Sequence, residues 1–262
     1  MPQFDAIPAS PAEPASPTGA DAYSITDDPI FYGTVIMFAL LTTIMPAILG
    51  QPRFLPVVQT LALTVFLAMT VRRQKMRQIV AVLLIWLFIQ FTLMLLLSWA
   101  APGSLEHAIA DGFDRRIAFR TWLFGNGVLP DSLWARPVGR IGELFLITIG
   151  GALTAGLLAV WILVRSVNLA GFYLGSLLID FPSLLALWIG LPLWTLLRLA
   201  GYAGWTVLAA EPLLVKNWSP GHLLQKRRRL LLISTACVAL GLLLELVLPG
   251  LWIRLADGLL PG

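Results

Sequence analysis

Three ionisable residues lie deep in otherwise apolar sequence: Asp180, Arg198 and Glu245. Two carboxylates and one guanidinium at membrane depth are the raw material of a proton relay, a solute site or a buried ion clamp. A guanidinium keeps its proton and offers five donors, so Arg198 suits one or two carboxylates. Brought to one height, the three residues form a single cluster. As a working site it would line a cavity open to one side of the membrane. As a clamp it would lock the last helices together and carry no chemistry.

Other chemistry finds little support in the residue types. The chain has one cysteine, Cys237, so it holds no internal disulfide and no thiolate metal cluster. His107 and His222 both fall in connecting segments, which removes haem held between spanning helices, and no lysine lies inside an apolar run to form a retinal Schiff base. His107 with Glu106, Asp111 and Asp114 has helical spacing suited to a metal, but arginines crowd the same stretch and favour a solvated face. The metalloprotease, nucleophile-elbow, Walker A and dinucleotide motifs are all missing. A non-catalytic protein without cofactor or metal is therefore expected.

Composition sets the solvent. Of 262 residues 58% are hydrophobic and 12% charged, with mean hydropathy +0.84. Soluble domains carry about 25% charged residues, so this chain belongs in a bilayer. Its pI near 9.6 reflects basic residues flanking membrane spans rather than nucleic-acid binding.

The expected fold is all-α, a polytopic integral membrane bundle of about seven helices in one transmembrane domain, residues 27–262. Residues 1–26, rich in Pro, Ala and Ser, have no positive or apolar region of a signal peptide and read as a disordered acidic tail. Asp28 and Pro29 supply an N-cap and a first helical residue. Spans are expected near 30–49, 54–71, 79–101, 144–164, 168–189, 192–210 and 230–253. In the external loop 102–139, Leu105, Ile109, Phe113 and Ile117 recur every fourth residue, which predicts an amphipathic helix lying on the membrane surface or over the bundle.

Parity fixes the number of crossings. Two basic clusters, Arg72, Arg73, Lys75 and Arg77, then Lys226, Arg227, Arg228 and Arg229 behind Lys216, should both stay cytoplasmic. An even number of passes must separate them. Residues 166–214 then cross twice, or form a re-entrant hairpin in a five-span alternative. A turn at Gly190–Pro192 leaves two segments of spanning length, with Pro182 kinking the first. The N-terminus is then inside and the C-terminus outside, as in a bacterial inner membrane. On this count Asp180, Arg198 and Glu245 all lie roughly 6–12 Å below the outer surface.

Small residues four apart, Gly151 with Ala155, and Gly171 with Gly175, predict close packing of the fourth and fifth spans or a dimer face. Trp99, Trp188, Trp194, Trp218 and Trp252 fit an aromatic belt. Expected partners are the lipid bilayer, a membrane protein or a second copy, and anionic headgroups at "QKRRR". Two functions follow: a subunit, scaffold or assembly factor of a membrane complex, or a transporter using the Asp180–Arg198–Glu245 cluster.

Overall fold

Asp28 opens the first helix by accepting the Ile30 N–H at 2.8 Å, with Pro29 at the first turn. Gly50, at φ 62°, closes it in the left-handed conformation that a helix end requires. The computed structural model describes residues 26, 28–73, 75–125, 127–216, 218–219 and 225–259, and these are helical without strands. The expected tail, except Thr26, lies outside the described residues, as does His222.

The helices are α1 (Pro29–Leu49), α2 (Phe54–Arg72), α3 (Met76–Ala100), α4 (Pro102–Ala108), α5 (Gly112–Leu123), α6 (Pro137–Phe145), α7 (Gly151–Leu153), α8 (Leu157–Asp180), α9 (Leu184–Gly190), α10 (Leu193–Leu214), α11 (Arg228–Val247) and α12 (Pro249–Leu259). A π-helical turn, Leu146–Gly150, joins α6 to α7. Five helices, α1, α2, α3, α8 and α11, are long and apolar enough to cross a membrane. α10 has 22 residues but carries Arg198 and Glu211. The fold is thus an all-α membrane bundle. Exposed Phe88, Val65 and Ile233 would be an aggregation hazard in water and are matched to lipid here.

Contacts between helices give their directions. Gln90 reaches Val164 and Asn168, Gly171 lies against Met94, and Gly175 lies against Leu95 and Ser98. The residue numbers rise together, so α3 and α8 are parallel. Gly204 meets Ser234, Gly201 meets Val238, and Gly241 meets Arg198, so α10 and α11 are antiparallel. The start of α8 meets Ala210 near the end of α10, through Gly156. Helices α3, α8 and α11 therefore run one way and α10 the other. Residues 72–77 and 225–229 share one end, the basic end. The opposite end, with α4, α5, α9 and α12, is the loop end.

The middle of the chain departs from the expected boundaries. The fourth helical segment starts at Pro137, not Leu144, because proline at the first turn needs no N–H partner. It ends at Thr154–Gly156, where Ala155 (φ 54°) and Gly156 (φ 89°) reverse the chain. Hence the fifth is 157–180 rather than 168–189, and Arg165 lies inside it instead of closing the fourth. Pro182 does not kink a span: with Phe181 it ends α8, and Gly190–Pro192 separates the short α9 from α10. The reversal is thus spread over both breaks. The last span stops at Val247, because Pro249 begins a separate helix across the loop end.

The surface helix is also two helices. Gly112 packs on the Glu106 backbone, where a Cβ would sit 2.5 Å from the carbonyl oxygen, and Asp111 turns the chain at φ 56°. The periodic phase shifts at that break. Leu105 and Ile109 are buried, whereas Phe113 and Ile117 face outward and Arg115, Phe119 and Trp122 face in. Two of the belt tryptophans also turn inward: Trp194 is buried edge-on against Trp252, whose Nε1 donates to the Ile189 carbonyl at 2.9 Å. Trp99, Trp188 and Trp218 are exposed.

Glycines set the closest approaches. Gly171 and Gly175 pack α8 against α3, not against the fourth span, and Gly151 packs against Ala209 of α10 and Ala159. Ala155 lies in the reversal itself.

Candidate functional site

Two polar layers cross the apolar bundle, and α8 separates them. The first is a chain of amides. Gln59 Nε2 donates to Thr43 Oγ1 at 2.9 Å, Asn168 Nδ2 to Gln59 Oε1 at 2.7 Å, and Gln90 Nε2 to Asn168 Oδ1 at 2.8 Å. Trp86 Nε1 closes the chain on Gln90 Oε1 at 3.1 Å. It ties α1, α2, α8 and α3 together. Its polar atoms satisfy one another, which is what buried polar groups in lipid need.

The second layer is ionic and joins α6, α10 and α11. Arg198 bonds Glu245 Oε2, and Arg140 Nη2 stands 3.7 Å from Glu245 Oε1. Arg140 also pairs with Glu143 at 2.6 Å, and Tyr202 Oη lies 3.4 Å from Glu143 Oε2. The Leu133 N–H donates to Glu245 Oε1 at 3.0 Å. Glu245 is fully buried, so it depends on these donors. Two acids and two arginines make a charge-neutral set, in which the Nε–H groups of Arg140 and Arg198 are buried without an acceptor.

Arg198 and Glu245 thus stand together, and Asp180 does not join them. As the last residue of α8 it is half-buried at the loop end, where Arg120 of α5 holds it at 2.7 Å. Its expected depth counts from a helix that starts beyond Arg165; the helix runs through Arg165 from Leu157, which carries Asp180 to the last position of α8. Arg140 and Glu143 take its place. Their signal was present in the sequence: Pro137 marks a helix start, and a residue pair three apart on that helix shares a face.

The difference in setting gives a first prediction. Asp180→Asn should cost about 1 kcal/mol or less, because solvent reaches the half-buried Asp180 and its exposed partner Arg120, and should leave the chain monodisperse in detergent. A thermal unfolding midpoint measured against wild type checks it.

The arginines of the loop end are mostly engaged. Arg115 pairs with Asp131, Arg136 reaches the same carboxylate at 3.4 Å, and Arg116 pairs with Glu106 at 2.5 Å. Burial alone would lower the pKa of Arg115, but Asp131 and Tyr173 beside it raise it above its ordinary value, so it stays charged. At the basic end Glu211 accepts from Arg227 Nε at 2.7 Å.

Cavities lie on both sides of α8. One of about 60 Å³ is lined by Asp131, Arg140, Glu143, Arg165, Tyr173 and Arg198. It has room for a few waters. A second, of about 270 Å³, opens between the α1–α2 turn, the α4–α5 turn and α8. Arg165 lines both. Sequence reading placed Arg165 at a helix end and gave it no role. No group of three His, Cys, Asp or Glu residues suited to a metal occurs among the described residues.

The helices and their paired internal charges define a polytopic helical membrane protein. Comparison with family models, with curated proteins and with solved structures gives no match.

Proposed function

We propose that the protein is a non-catalytic multi-pass subunit, scaffold or assembly factor of a larger membrane complex. The charge-balanced ionic layer carries this reading. A carrier for protons or cations needs a carboxylate free to load and unload. Here Glu143 and Glu245 are held by Arg140 and Arg198, Asp131 by Arg115 and Arg136, and Glu211 by Arg227. The cavity between them holds about 60 Å³, and the wider one of about 530 Å³ at the loop end meets only Glu245 among these acids, itself held by Arg198.

The reading places the chain in a bacterial inner membrane with seven crossings, α6 to α7 supplying the fourth and α10 the sixth. The segment 137–153 is about 25 Å long at ~1.5 Å per residue, short for a roughly 30 Å core. The shared end of both basic clusters supports a cytoplasmic N-terminus and an external C-terminus.

Native membranes solubilised in mild detergent test the function. The chain is expected to run as an assembly with a stoichiometric membrane partner, and the purified chain to give no pH-driven flux in liposomes. A partner-free chain that supports such flux would establish the transporter instead.

A further inference from the structure

The second cavity carries an unneutralised positive charge at membrane depth. Its polar lining is Arg53, Arg115, Arg165 and Asn168, and among the described residues no carboxylate lines it. Arg115 is committed to Asp131. Arg53 and Arg165 make no side-chain hydrogen bond or ion pair with other described residues. The two acids lining the neighbouring cavity that Arg165 also reaches, Asp131 and Glu143, already serve Arg115, Arg136 and Arg140. Arg165 lies eight residues into α8, roughly 12 Å from the helix start, flanked by Trp161 and Leu169. A charge in such a place costs at least about 2.5–3.5 kcal/mol unless something compensates it.

We propose that this cavity binds a phosphate group, supplied by the headgroup of an anionic phospholipid at the loop end. Arginine forks match phosphate oxygens two at a time, and Arg53 and Arg165 approach the cavity from two separate elements. The apolar walls, which include Leu55 and Trp161, suit the glycerol and upper acyl region better than a free ion. The volume of about 270 Å³ sits near the lower edge of the ~300–1,000 Å³ typical of small-ligand sites. The site lies at the opposite end from "QKRRR" and is separate from any headgroup contact there. It does not depend on the subunit reading above.

The test uses the full chain in nanodiscs of phosphatidylcholine, with phosphatidylglycerol titrated in. Retained lipid is read by native mass spectrometry and protection by the thermal midpoint. Wild type should retain a single phosphatidylglycerol and gain thermal stability. Arg165→Gln should weaken retention about tenfold or more, as expected for losing a charged hydrogen bond, and Arg165→Lys should keep part of it. Arg53→Gln, in an exposed turn, should weaken it in the same direction without risk to folding. Arg229→Gln at the basic end should change nothing. In a parallel arm, inorganic phosphate replaces the lipid. Protection by phosphate alone, lost in Arg165→Gln, keeps the phosphate site and assigns it to a free anion; protection only by the lipid assigns it to the headgroup. Failure of wild type to retain either, or equal retention by wild type and the Arg53→Gln/Arg165→Gln chain, overturns the proposal.

Discussion

Glu245→Ala is expected to destabilise the bundle by about 3–5 kcal/mol, the usual result of removing one partner of a buried ion pair. The loss is large because Glu245 faces three donors. Its removal leaves Arg198 with no carboxylate, Arg140 with Glu143 alone, and the Leu133 N–H with no acceptor. Folded domains hold about 5–15 kcal/mol in total, so much of the purified protein should aggregate on extraction. The fraction monodisperse by size exclusion measures this. Removing both charges gives a different outcome. Arg198→Met with Glu245→Leu should recover most of the stability, since apolar replacement of a buried pair is often neutral. A charge swap, Arg198→Glu with Glu245→Arg, should not recover it. An arginine at 245 would face Arg140 and the Leu133 N–H, both donors. Recovery by the swap would show that the pair stands alone and that Arg140 contributes nothing.

The sequence made the solvent and the fold class legible, because long apolar runs with few charges have one physical explanation. It also brought Arg198 and Glu245 to one height, since both depths were counted from turns that lie close to those observed. Asp180 was misplaced for a single reason. Arg165 looked like the end of a span, because an arginine in lipid is costly. The chain instead reverses at Ala155–Gly156, inside a glycine-rich stretch that reads equally well as a packing face. Glycine permits both a close approach and a positive φ, and sequence alone does not separate the two uses. The same ambiguity hid the partners of Gly171 and Gly175. Small residues announce that something comes near without naming it. The amide chain through Gln59, Gln90 and Asn168 was illegible for a related reason: uncharged polar residues scattered in three spans give no sign of their mutual register.

The second large effect is steric. Gly175→Ala should cost about 3 kcal/mol, at the upper end for overpacking a close contact. A Cβ at position 175 would overlap the Leu95 carbonyl oxygen and lie 2.6 Å from the Ser98 Cβ. Neither is the far end of a flexible side chain, so α3 and α8 must part. Parting them stretches the bond from Ser98 Oγ to the Phe172 carbonyl, now 2.9 Å, and the contacts of Gln90 with Val164 and Asn168. The steric cost thus spreads into the amide layer that ties α8 to α1, α2 and α3. Gly171→Ala should follow it, since its Cβ would meet Met94 Cβ at 2.7 Å. Gly33 provides the opposite sign. It lies inside α1 with nothing within 4 Å of its virtual Cβ, so Gly33→Ala should be stabilising by about 0.5–1 kcal/mol through helix propensity alone. Thermal midpoints of the three variants in one detergent decide the matter. A Gly175→Ala chain as stable as Gly33→Ala would mean that α3 and α8 are not in backbone contact, and the helix directions drawn from that contact would fall with it.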